Sequence, residues 1–421
     1  MSGLLPQDVP ASLPSSDPAR IGGSWVPGFE PVVEQFIRQV QSGAEVGASL
    51  AIHHRGRCVV DIWGGWADRR RTRPWVADSR VLLFSVTKAF TAMAFHLLAE
   101  DGLLDWDAPV ARWWPEFAAA GKQDITVRTL LNHRAGLAGL TPKFTLAQCL
   151  DPTFASPIAR ALADEAPAWT PGEGQGYHAI TYGMYAGELF RRLADEPLSA
   201  FLERRVFAPL GSDVRLGAEP ELDARCAELL PFPNGRRVLR MAVARVLQPR
   251  STEARVLDAL RRPGSLVKRA FENPSVGLAG PGAYDTPAVR QACLPWASAT
   301  GSARGVARAM TPWSLDGSWG GYRLVQPTVV EGLRARQGWS EQDAVLCKPL
   351  GWSQGFMKEE RHLFSPNPGS FGHSGMGGAL GWADPDQQVA IGYAMNRMDW
   401  RVRSPRCLAL CHALYECRPL C

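Results

Sequence analysis

No stretch of this 421-residue chain is long and apolar enough to cross a membrane, which takes roughly 20 consecutive apolar residues. The N-terminus, Met1 to Pro27, is rich in Pro, Ser and Gly and has no basic start followed by an apolar core. It therefore shows no secretory leader, and a cytoplasmic setting is expected. Charge of one sign is not in excess either. The formal net charge is +5, too small for this length to suggest a nucleic-acid partner. The basic run Arg69-Arg70-Arg71-Thr72-Arg73 sits between two candidate elements and reads as a solvated loop rather than a nucleic-acid patch. Cysteines at ligand spacing are missing. The nine cysteines are odd in number and form no C-x-x-C pair, which suits a reducing compartment and argues against zinc. Cys407 and Cys411 share a helix face with leucines nearby and read as core. No metal and no cofactor is expected. There is no G-x-S-x-G elbow, so the central motif of the α/β-hydrolases is lacking, and there are no internal repeats.

What is present is an ordinary globular balance, 46% hydrophobic and 21% charged, with length for a large core. Two S-x-x-K tetrapeptides stand out: Ser85-Val86-Thr87-Lys88 and Ser265-Leu266-Val267-Lys268. A serine and a lysine three residues apart at a helix start share one face, about a turn apart. A neutral amine there can take the proton while the serine oxygen attacks a carbonyl. Context separates the copies. After Ser85, apolar residues at 86, 89, 90, 93, 94, 97 and 98 predict a helix buried along one face, ended by Glu100-Asp101-Gly102. The run Val81 to Phe84 would bury its start, leaving N–H groups and a positive dipole end for a developing oxyanion. The second copy follows Arg261-Arg262-Pro263-Gly264 and reads as a solvated loop or an exposed helix start.

Periodicity outlines the fold. Helices are predicted over Val32–Val40, 85–100, Thr126–Asn132, Thr181–Leu193, Gly301–Met310 and Leu408–Leu414, and hairpins over 48–63 and 379–395. Strands lie at both ends of the chain and helices in the middle. The expected fold class is α+β: a central antiparallel sheet flanked by helices, with an inserted, mainly helical lobe. The expected division is an N-terminal extension 1–30, a sheet domain 31–110 plus 283–421, and a helical lobe 111–282. The arginine-rich stretch near 236–269 has no readable role.

An acyl-transfer serine also needs acid–base help and an oxyanion hole. Trp169-Thr170-Pro171-Gly172-Glu173-Gly174-Gln175-Gly176-Tyr177 places a phenol in a rigid loop before a helix. Tyrosine can serve as acid–base group when cations lower its pKa; the alternative is that Tyr177 only packs against the helix start. Phe371-Gly372-His373-Ser374-Gly375-Met376-Gly377-Gly378 lets a ligand approach the backbone beside a strand, or is a glycine-rich strand edge. Trp352 and Trp382 flank this segment and read as acyl-pocket lining or as core.

These segments, in this order, resemble the serine β-lactamase and penicillin-binding-protein-like superfamily, with its class C-like branch and the family VIII carboxylesterases nearest. Leu103–Val110 and Ile125–Leu137 look like further segments of that family. The resemblance implies a β-lactamase/transpeptidase-like fold with Ser85 as nucleophile, Lys88 assisting its deprotonation and Tyr177 as the Y-x-N tyrosine. His373-Ser374-Gly375 would sit at the K-T-G position, and the N–H groups of Ser85 and Met376 would form the oxyanion hole. Two departures shift the expected substrate. Ala179 replaces the Y-x-N asparagine, and His373, mostly neutral at pH 7, replaces the fixed cation. Both weaken recognition of an anionic lactam or D-Ala terminus, so the expected activity is hydrolysis of small uncharged carboxylic esters. β-Lactamase, D-amino-acid peptidase, acyltransferase and non-catalytic scaffold readings remain as alternatives, and the oligomeric state stays open.

Overall fold

The computed structural model describes residues 21–358 and 362–420. The reading of the extreme N-terminus and Cys421 lie outside those residues. A nine-stranded, wholly antiparallel sheet organises the molecule. Its strands are β1 (Gly22–Trp25), β2 (Gly47–His54), β3 (Arg57–Gly65), β4 (Gly338–Ser340), β5 (Leu350–Ser353), β6 (Phe356–Lys358), β7 (Phe371–Ser374), β8 (Leu380–Asp384) and β9 (Val389–Met395). Their order is β1-β3-β2-β9-β8-β7-β6-β5-β4. β2 and β9 meet at the centre with Ile52 opposite Ile391, so the two ends of the chain are stitched together there.

Both predicted hairpins form. In the first, Arg55 and Gly56 take φ of +51° and +73°, a turn whose twist matches that of the strands it joins. The sequence reading missed β1, β4, β5 and β6. Each has only three or four residues, too few for a period of two to register. β1 also falls inside the expected N-terminal extension.

Helices cover both faces. On one lie α1 (Glu30–Gln41) and the C-terminal helix, each opened by a proline in its first turn. Val32 of α1 and Cys407, Leu410, Cys411 and Leu414 meet Leu50, Ile52, Leu380 and Ile391 of the sheet around one small gap. Cys407 and Cys411 are therefore core, as their spacing suggested. On the other face lies Ala303–Met310, which starts two residues later than predicted because the Ser302 hydroxyl caps the Gly305 N–H. It seats on a glycine pair, Gly381 opposite Gly392. A Cβ at Gly392 would stand 2.0 Å from the Ala303 carbonyl oxygen.

The helix after Ser85, Val86–Glu100, departs from expectation. It is buried on every side from Val86 to Leu98, not along one face. The helix Thr181–Leu193 and strands β6 to β8 pack around it. Between about 110 and 300 the chain is mainly helical; most of its buried residues join the core that runs from Phe29 to Leu420, while Met241, Val256, Leu257 and Val267 form a second small cluster with Cys347.

Candidate active site

The turn before the buried helix is built by local pairing. Val81–Leu82 forms a two-residue ladder with Thr300–Gly301, and the Leu83 N–H donates to Ala299 O at 2.8 Å. Phe84 then takes φ of +46°, a left-handed conformation costly for a side chain of this size. It reverses the chain so that Ser85 takes the N-cap position of the helix with its side chain toward Lys88 and Tyr177. The Thr87 hydroxyl accepts from the Ala299 N–H and the Thr91 hydroxyl donates to Pro295 O, fixing the first two turns against the same segment.

Ser85 Oγ is met from two sides. Lys88 Nζ lies 3.0 Å away, and the Tyr177 phenol donates to Oγ at 2.9 Å. Lys88 is fully buried, and its Nζ also donates to Trp296 O at 3.0 Å. No carboxylate pairs with it among the described residues. Burial holds its pKa well below the usual lysine value, which favours the neutral amine. Tyr177 moves the other way. Burial raises its phenol above the ordinary 10 and outweighs the hydrogen bond to Ser85 and the field of Arg403. The expectation that cations lower this pKa is thus reversed, because burial of the phenol outweighs the one nearby cation, Arg403.

Tyr177 is held at ring and backbone. Its ring stacks on Trp352 with centroids 5.8 Å apart and planes 5° from parallel. Its N–H donates to Asp343 Oδ1 at 2.9 Å, and the same oxygen accepts from the N–H groups of Val345 and Leu346. Sequence reasoning passed over Asp343. Its local signal is only that of a turn-forming aspartate; nothing nearby links it to a tyrosine 166 residues away. Trp352 is thus the floor under Tyr177, whereas Trp382 packs on Phe364 in the core.

Two buried histidines complete that floor. His178 Nε2 accepts from the Leu137 N–H at 3.0 Å, so Nδ1 carries the proton and meets Gly176 O at 2.6 Å. Burial lowers its pKa to about 4, so it is neutral. The His178 N–H donates to His133 Nδ1 at 2.9 Å. The His133 ring, at φ of +59°, lies 3.9 Å from that of Trp352.

The late glycine segment closes the opposite wall. His373, on β7, is fully buried with Nδ1 2.8 Å from Ser374 O, and its ring centroid is 6.0 Å from that of Tyr177. Burial and the nearby Lys88 hold it neutral, with its pKa well below the usual imidazole range. Ser374 lies beside Met357, its Oγ 4.0 Å from Sδ. Gly375 is required by contact: a Cβ there would stand 2.4 Å from Leu83 O, on the turn that carries Ser85. Met376 follows, half-buried, and Gly377 and Gly378 turn the chain back at φ of +88° and +136°.

Ser265 lies elsewhere. It caps Leu266–Glu272 by accepting from the Lys268 N–H, and the exposed Lys268 side chain faces Glu272. The second S-x-x-K is a helix start, one of the two readings its context allowed, though Ser265 itself is buried rather than exposed.

A family model described as Beta-lactamase matches residues 33–410. The esterase/beta-lactamase LipL of Mycobacterium tuberculosis is 32% identical over 383 residues, covering 90% of this chain and 83% of that protein. The crystal structure of a family VIII carboxylesterase superimposes with a TM-score of 0.81 at 34% identity, over 94% of this chain and 99% of that one. A penicillin-binding protein homologue from Caulobacter crescentus superimposes with a TM-score of 0.78 at 32% identity, over 94% and 99% of the two chains.

Proposed function

Because the chain belongs to the beta-lactamase family, we propose that it is a serine hydrolase that cleaves carboxylic esters through an acyl-enzyme on Ser85. The observation that carries the reading is the contact of Ser85 Oγ with Lys88 Nζ on one side and the Tyr177 hydroxyl on the other. With Lys88 neutral, its lone pair accepts the Ser85 proton as Oγ attacks the ester carbonyl. The N–H groups of Ser85 and Met376 receive the oxyanion. Each such donor is typically worth ~3 kcal/mol in the transition state. Support for that pair is the close seating of Gly375 on the Leu83 carbonyl, which brings the Met376 turn beside the nucleophile turn. Tyr177 keeps its proton and delivers it to the departing alkoxide. Water then attacks the acyl-enzyme, giving a proton back through the same pair and releasing the acid.

The late strand itself presents no cation to a substrate, although Arg403, beside Met357, acts on Tyr177 and His373 through its field. His373 and Ser374 stand where a fixed cation would meet an anionic substrate, and His373 is neutral and buried. Ala179 offers no amide. A second reading, β-lactam hydrolysis, draws on the double name of the M. tuberculosis relative. Two measurements decide. Fluorophosphonate labelling read by intact mass is expected to give one adduct on wild type and none on Ser85→Ala; equal labelling of both would sink the assignment. p-Nitrophenyl acetate is expected to turn over faster than a chromogenic cephalosporin, and the reverse order would select the lactam reading.

A further inference from the structure

The arginine-rich stretch left unread by sequence forms a helix, Asn234–Leu247, that buries only Met241 fully. Leu239, Val243, Val246 and Leu247 recur at i, i+4, i+7 and i+8, so they form one stripe on the side away from Met241. Leu239, Val246 and Leu247 are 63, 76 and 74% exposed. Leu278, wholly exposed, sits by the helix start, where the Asn234 side chain donates to its carbonyl. Scattered exposed aliphatics are ordinary; a stripe of them on one helix marks a binding face. From Asn234 to Ser251 there are five arginines and no acidic residue; of the five, Arg245 pairs with Asp258 on the following helix.

The charge pattern selects the occupant. A second copy of the chain seated across a two-fold axis would bring two helices that carry arginines and no carboxylate against each other. An anionic lipid surface answers both features at once, taking the aliphatic stripe into its acyl boundary and the arginines at its headgroups. The helix also stands beside the candidate site. Its Met241 shares a small buried cluster with Val256, Leu257, Val267 and Cys347, the last from the loop that begins at Asp343, and Trp400 and Val402 pack against that cluster. The Asp399 N–H in turn donates to Gly377 O in the turn after Met376. We propose that Asn234–Leu247 is an interfacial helix that seats the protein on an anionic lipid surface, with the cleft of Ser85 beside the bilayer. This deepens the ester reading, since it makes lipid-phase esters the natural substrates, but the seating itself does not depend on that reading.

The test uses the Ser85→Ala protein, so turnover plays no part. It is expected to float with vesicles of equal parts phosphatidylglycerol and phosphatidylcholine, to stay behind with pure phosphatidylcholine, and to be released by high salt. Adding Val246→Asp and Leu247→Asp is expected to weaken flotation at least about tenfold. In the active protein the same two changes should leave circular dichroism and p-nitrophenyl acetate hydrolysis unaltered. No flotation of the parent, or equal flotation of the double variant, overturns the proposal. So does light scattering that reports a dimer which the two aspartates convert to a monomer, because a second copy would then own this face.

Discussion

At the scale of single residues, the site is an arrangement of proton affinities. Burial pushes Lys88 toward the free amine and Tyr177 toward the protonated phenol, which supports Lys88 as resting base and Tyr177 as resting acid in the proposed mechanism. The sign for activity follows. In the proposed mechanism the neutral amine is the working form, so kcat/KM should rise with pH through the lowered Lys88 value. The alkaline fall should come later than an ordinary phenol would give. A pH–rate profile checks this; an alkaline fall near pH 8 that vanishes in Tyr177→Phe would contradict it. Lys88→Arg places a permanent cation there and should cost about 10³-fold in kcat. Asp343 acts on Tyr177 through the backbone. Asp343→Ala should lower kcat by about tenfold or more with little change in KM, and Asp343→Asn, which keeps a carbonyl acceptor, should recover most of it. Equal losses in the two variants would mean that the carboxylate charge matters rather than the acceptor.

At the scale of elements, small residues decide how closely parts approach. Gly381 and Gly392 face one another across β8 and β9 and let Ala303–Met310 lie on the sheet. Gly392→Ala drives a methyl into the Ala303 carbonyl and should cost on the order of 3 kcal/mol. Gly43→Ala is the comparison. Nothing lies within 4 Å of its would-be Cβ, and only the positive φ of +70° opposes it, for about 1 kcal/mol. Denaturant midpoints should separate the two; similar shifts would show that the sheet can yield to the helix. The wholly buried helix Val86–Glu100 has the same logic. A helix that bears a reactive residue at its start is held more firmly when every face is packed.

At the scale of the whole molecule, the two ends of the chain are locked by one buried group. Glu45, just past α1, meets the Tyr393 hydroxyl on β9 and Arg406 Nε, 3.0 Å away, on the C-terminal helix. Burial raises its carboxyl from 4.5 to about 7, against the pull of Arg406. The native state therefore keeps a proton that the unfolded chain releases. Its contribution is complete below about pH 4.5 and is lost as pH climbs through about 7. Thermal unfolding should show stability falling across that window, and Glu45→Gln should flatten the fall. A profile of unchanged slope in Glu45→Gln would remove Glu45 as its source.

Local spacing singled out the candidate reactive groups. Ser85 and Lys88 share a face because a helix repeats every 3.6 residues, and Tyr177 is marked by the proline and glycines before it. The two long hairpins were legible for the same reason, as was the order that puts strands at the ends and helices between. The short strands β4 to β6 were not, since three or four residues become a strand only when a neighbour supplies the hydrogen bonds. Asp343 beneath Tyr177, Trp352 stacked on its ring and the glycine pair under Ala303–Met310 belong to contacts between distant parts of the chain. The charge states of Lys88, Tyr177 and His373 were also decided there, because a pKa answers to the water that the fold removes. So did the exposure of Leu239, Val246 and Leu247: a sequence shows an apolar stripe, but only the packed molecule shows that nothing covers it.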